Sequence, residues 1–188
     1  MNRLVGLLAL SAVVAQPLSA QTVIRPEPPL DSARAVLRDA LLVMRDSLLT
    51  IDGAAARLQR DYRVASGPSL LSRARVMRDA CARSGRTVPP TRQVILSAKL
   101  SEPHKAKRRQ ELLGALEQLT SALSQCETEF DTMSQAGQAE RVRGYANDRA
   151  HQVQISLRTY EQSARNFLGA LGIRVVPMGV VPEPQAES

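Results

Sequence analysis

The chain has 188 residues, 44% of them hydrophobic, with 25 Lys and Arg against 18 Asp and Glu, for a formal charge of +7. That is about one domain's worth of chain with enough apolar content to bury a core, and its basic balance favours acidic partners. With no Trp, three Tyr and two Phe, the chain lacks the aromatic platforms on which bases stack, so nucleic acid is not an expected partner.

The N-terminus reads as an export signal. Arg3 supplies a positive start, Leu4 to Val14 is an apolar run the length of a signal-peptide core, and Pro17 breaks the helix before "LSA". Cleavage is expected after Ala20, with Ala15 as the alternative, which makes residues 1–20 the signal peptide. No later apolar run approaches the ~20 residues that cross a bilayer, so no transmembrane anchor is expected. The mature chain should be exported to the periplasm or the extracellular space. Its charge there is +6, the +7 of the whole chain less Arg3. Arginine outnumbers lysine 22 to 3, a bias associated with GC-rich bacterial genomes.

Residues 21–30 form a lead-in, extended by Pro26, Pro28 and Pro29. Asp31 then caps a first helix running to about Tyr62. Its apolar line is Ala33, Leu37, Ala40, Met44, Leu48, Ile51, Ala55, Leu58 and Tyr62, at steps of three and four. The stretch "LRDALLV" followed by "MRDSLLT" repeats at seven, the period of a seam that faces a partner helix. Gly53 is a candidate bend, with the helix taken as continuous through it.

"ASGPS" (65–69) is a turn. A second helix follows from about Ser69 to Ser84, with Leu70, Ala74, Met77 and Cys81 on its apolar line and Gly85 as its stop. The segment 86–100 contains Pro89 and Pro90, which argue against a helix centred there. A short helix or an extended connector remains open for "QVILSAKL".

Ser101 and Pro103 open a third helix. Leu112, Leu116, Leu119, Leu123, Cys126, Phe130 and Met133 alternate four and three without a miss. "SQAGQ" (134–138) is a turn. A fourth helix runs from about Ala139 to Leu171 on a seam of Val142, Ala146, Val153, Leu157, Tyr160, Ala164, Phe167 and Leu171, interrupted at Arg149 and ended by Gly172. The tail 173–188 is apolar but carries Pro177, Pro182 and Pro184. The expected fold is all-α: an elongated four-helix bundle with coiled-coil-like packing over residues 31–172.

The two cysteines, Cys81 and Cys126, both lie on apolar seams. In an exported chain an even pair reads as a disulfide. With the second helix ending near Cys81 and the third beginning far from Cys126, a bond within one chain implies parallel second and third helices. An extended crossover over 86–100 would then join them.

Little else carries chemistry. His104 and His151 are the sole histidines, with no CxxC, HxxxH or CxxCH spacing, so no metal site is expected. Met44 and His151 are the candidates for a haem held between a Met and a His on facing helices, and His151 sits beside its seam, so no cofactor is expected. No GxSxG, SxxK or HExxH is present, no Gly-rich phosphate loop occurs, and no catalytic residue is assigned. Lys105, Lys107, Arg108 and Arg109 form the densest charge run, a solvated helix face or a docking patch for anionic groups. The expected function is non-enzymatic: a structural or partner-binding bundle of the bacterial envelope, with an envelope protein or an anionic surface as partner, acting as a monomer or a coiled-coil homo-oligomer. The alternative is a small-ligand carrier or stress-response binding bundle.

Overall fold

The computed structural model describes residues 31–173, so the signal peptide, the lead-in and all but the first residue of the tail lie outside the described residues. Four helices fill this span: α1 (Ser32–Asp61), α2 (Gly67–Ser97), α3 (Pro103–Met133) and α4 (Ala139–Ala170). No strand occurs among the described residues. The chain forms an all-α four-helix bundle.

Each helix owes its place to an apolar seam stepping by three and four. In α1 the buried line is Leu37, Leu41, Met44, Leu48, Ile51, Ala55 and Leu58. Leu41 therefore holds the step expected of Ala40, which is half-buried, and Ala33 is exposed. In α4, Ala150 holds the step where Arg149 breaks the expected line. The seam is thus continuous, and Arg149 turns outward to pair with Glu129 of α3 at 2.9 Å. The α3 seam is as expected. Burying such lines end to end is what stabilises helices of this length, since isolated helices gain little from propensity alone.

Adjacent helices pack around a ring in chain order, and α4 closes it against α1. Across the centre the backbones of α2 and α4 approach each other, whereas those of α1 and α3 stay further apart. Side-chain size accounts for this. The buried faces of α2 and α4 carry Ala74, Ala80, Ala146, Ala150 and Ala164, while those of α1 and α3 are dominated by Leu, Met and Phe. Small side chains let two helix axes approach, so the square collapses along the α2–α4 diagonal.

The largest departure from expectation is α2. It does not stop at Gly85 but runs on through Pro89 and Pro90 to Ser97. The extended crossover over 86–100 does not exist, because that segment is the second half of α2. Both prolines sit on the exposed side. The buried side continues without a missed step as Cys81, Ser84, Val88, Thr91 and Ile95. Each proline removes one helical hydrogen bond and crowds the carbonyl four residues back, at about 3 kcal/mol in a helix interior. Burial of Val88, Thr91 and Ile95 against the bundle offsets that cost. Ser84 is accommodated in the core by donating to the Ser47 carbonyl at 3.0 Å and accepting from the Ser47 hydroxyl at 2.8 Å.

The α2–α3 connection is consequently only residues 98–102, and the two helices are antiparallel neighbours. The expected parallel pair is overturned. Three ties fix the antiparallel register: Arg109 Nη1 donates to the Ala98 carbonyl at 3.0 Å, Cys81 lies opposite Cys126, and Arg78 Nη1 meets Asp131 at 3.0 Å. Each step back along α2 matches a step forward along α3.

Away from the C-terminus of α2, the helix ends lie close to their sequence signals. Asp31 is the N-cap of α1, its carboxylate accepting from Arg34 N at 2.8 Å. Glu102, not Ser101, holds the N-cap position of α3, with Pro103 in the first turn. Gly53 leaves α1 continuous. At the end of α4, Gly172 adopts φ 74°. The Ile173 and Gly172 amides then bond back to Leu168 and Gly169 carbonyls at 2.9 and 3.0 Å. With Leu168 and Ile173 both buried, this is a complete glycine-terminated stop with its apolar contact.

Candidate functional site

Both cysteines lie in the core. Cys81 lies mid-way along α2 and Cys126 in the last third of α3, both essentially without solvent exposure. Their Cα atoms are 6.1 Å apart and their sulfurs are at disulfide distance, 1.99 Å. The pair therefore sits where two antiparallel neighbours face each other. No reagent reaches it without opening the bundle.

The basic run 105–109 is brought together only in part. Lys105 pairs with Glu102, which holds the Glu102 carboxyl below the usual carboxylate range. Arg108 pairs with Glu111 at 2.7 Å, and Arg109 caps the Ala98 carbonyl at 3.0 Å. Lys107 is exposed and has no such partner among the described residues. It also lies about 200° round the helix from Lys105. As a whole α3 carries four cations and five carboxylates, so it is slightly acidic.

Met44 and His151 do not share a site. Met44 is wholly buried, its sulfur accepting from the Thr87 hydroxyl at 2.9 Å, and His151 is exposed. Among the described residues no three His, Cys, Asp or Glu side chains converge as a metal site would need, and no helix is long and apolar enough to cross a membrane.

A cleft of about 750 Å3 opens at the end of the bundle where α1 and α3 begin and α2 and α4 finish. Leu37, Val94, Leu100 and Leu171 supply its apolar lining, and Asp31, Lys99 and Lys105 its polar one. It is an open surface feature, not a cavity between the helices.

Sequence reasoning missed how the arginines are used. Arg143 on α4 reaches the α1–α2 turn, donating to the carbonyls of Tyr62 at 2.9 Å, Arg63 at 2.7 Å and Ala65 at 3.1 Å. A helix C-terminus leaves carbonyls unpaired and partially negative, which a planar five-donor guanidinium matches better than an ammonium. Arg73 adds a second donor to the Arg57 carbonyl at 3.0 Å, in the last turns of α1, while pairing with Asp61. Arg78 is held between Asp79 and Asp131, whose hydrogen bonds push its pKa further up. The excess of arginine over lysine thus has a structural use at helix ends and between helices. Nothing in the local sequence distinguishes Arg143 from its neighbours, because its partners lie about eighty residues away.

Comparison with known proteins returns no matching family model, no matching curated protein and no matching solved structure.

Proposed function

We propose that the protein is an exported, non-enzymatic helical bundle with a structural or partner-binding role in the bacterial envelope. The observation that carries this reading is the buried Cys81–Cys126 pair at disulfide distance, because disulfides persist in oxidising compartments outside the cytosol. The signal-like N-terminus points the same way. The two core thiols are committed to each other, which supports a scaffold over thiol catalysis. Cell fractionation with sequencing of the mature N-terminus tests the reading. Recovery in the envelope or medium with Gln21 first is the expected result, and an intact Met1 terminus in the cytosol overturns it. Crosslinking in the native envelope then identifies the partner.

A second reading, a small-ligand carrier, is favoured by the end cleft between Leu37, Val94, Leu100 and Leu171. Native mass spectrometry of protein purified from its own envelope separates the two readings. A bound small molecule supports the carrier, and the bare chain supports the interaction module.

A further inference from the structure

The charge excess of the chain is not where the sequence concentrates it. Helix α1 carries five cations and four carboxylates, α3 four and five, and α4 five and three. Helix α2 carries six arginines and a single carboxylate, Asp79. Its net +5 is most of the formal +7 of the whole chain.

The heptad of α2 decides which way these arginines point. With Leu70, Ala74, Met77 and Cys81 buried, Arg73 and Arg78 fall beside the seam and are taken up by neighbouring helices. Arg75, Arg83 and Arg86 fall on the outward positions and are exposed, and Arg92, also exposed, lies round the helix from them. Arg75 reaches only the Ser134 carbonyl, at 3.4 Å. Arg83 and Arg86, one turn apart, have no ion pair or hydrogen bond among the described residues. Like charges at that spacing disfavour the helix slightly. Asp79 is already held by Arg78 at 2.8 Å.

The same outward face is also apolar. Val76 is 43% and Leu96 41% exposed, and Pro89 and Pro90 lie between Arg86 and Leu96. From Arg75 to Leu96 the face runs about 30 Å. Unpaired guanidiniums interleaved with short apolar side chains suit the headgroup level of a bilayer, where phosphates meet the forks and small apolar groups reach the acyl boundary. The ridge is convex and α2 has no aromatic residue, so it offers neither a groove for a single polyanionic strand nor a stacking surface.

We propose that the outward face of α2, through Arg75, Arg83 and Arg86 with Val76 and Leu96, docks the bundle onto an anionic phospholipid surface. This gives the proposed partner-binding role a surface, and it rests on that reading only for where such a membrane is met.

The test is co-sedimentation of the full chain with phosphatidylglycerol–phosphatidylcholine vesicles and with pure phosphatidylcholine vesicles. A variant carrying Arg75→Gln, Arg83→Gln and Arg86→Gln is compared with a charge-matched control carrying Arg60→Gln, Arg141→Gln and Arg158→Gln, all exposed and outside both basic patches. Circular dichroism confirms that each is folded. At about 1 kcal/mol per basic residue near an anionic surface, the α2 variant should lose about a hundredfold in partitioning, and added salt should weaken the wild type. The control should stay close to wild type. Equal loss in both variants, absence of anionic-lipid binding by the wild type, or binding to soluble polyphosphate without binding to vesicles would each overturn the proposal. Because the vesicles bypass export, failure here leaves the localisation reading to its own test.

Discussion

Tyr160 buries a hydroxyl that finds no hydrogen-bond partner among the described residues. Burial pushes its phenol well above the usual value. Two outcomes follow. Removing an unpaired buried hydroxyl relieves a desolvation penalty, so Tyr160→Phe should be neutral or stabilising by up to about 2 kcal/mol in urea unfolding. A marked loss of stability would mean that the hydroxyl has a partner. The second outcome concerns pH. The unfolded chain releases this proton near pH 10 while the folded chain retains it. Stability from Tyr160 is therefore fully present below about pH 10 and falls as pH rises beyond it. Tyr160→Phe should flatten that alkaline decline. Arg143 is the opposite case, a side chain whose every contact is used. Arg143→Ala frees three carbonyls at the α1–α2 turn and should cost about 2 kcal/mol. Arg143→Lys should recover only part of it, since an ammonium cannot span the three acceptors in the same plane.

At the scale of the element, the question is why a helix runs through two consecutive prolines. In α2 both prolines face water and the seam behind them is unbroken. Pro90→Ala should therefore stabilise the protein by about 1–3 kcal/mol, read from the urea midpoint, with unchanged or higher helicity. An extended connector at this place would respond in the opposite sense, because alanine would enlarge the freedom of the unfolded chain for no native gain. The sequence contains the relevant spacing: positions 81, 84, 88, 91 and 95 continue the heptad. Two of these are Ser84 and Thr91, so apolar periodicity fades where the prolines enter, and local propensity outweighs it when one chain is read alone. Leu41 and Ala150 were displaced for a related reason. A seam with a neighbouring apolar residue, or a charged one such as Arg149, can be placed one step off without disturbing the rest of its line. The α3 seam, Asp31 as a cap and Gly172 as a stop were legible because each depends on a few adjacent residues.

Across the whole molecule, the course of α2 decides topology. Ending α2 at Gly85 places Cys81 near a helix end, and only a parallel α3 can then bring Cys126 to it. Running α2 to Ser97 places Cys81 mid-helix, and a plain antiparallel hairpin with a five-residue connection does the same. The cysteine pairing was legible from count and seam, but the route of the chain between them was not. The basic patch shows the same division. Lys105, Arg108 and Arg109 are adjacent in sequence yet meet Glu102, Glu111 and a backbone carbonyl, whereas the outward arginines of α2 are scattered in sequence and aligned only once the helix is continuous. A covalent Cys81–Cys126 link closes a loop of 45 residues and should stabilise the fold by about 4 kcal/mol in the chain-entropy model. A Cys81→Ala, Cys126→Ala variant should lose up to that amount while keeping its helicity.

Peptide mapping by mass spectrometry of the non-reduced protein, isolated from the envelope fraction, tests both the proposed export and the staple within one chain. The expected result is a monomeric chain beginning at Gln21, with the Cys81 and Cys126 peptides linked to each other. A chain retaining residues 1–20 with both thiols free, or cysteines linked between two chains, would contradict it.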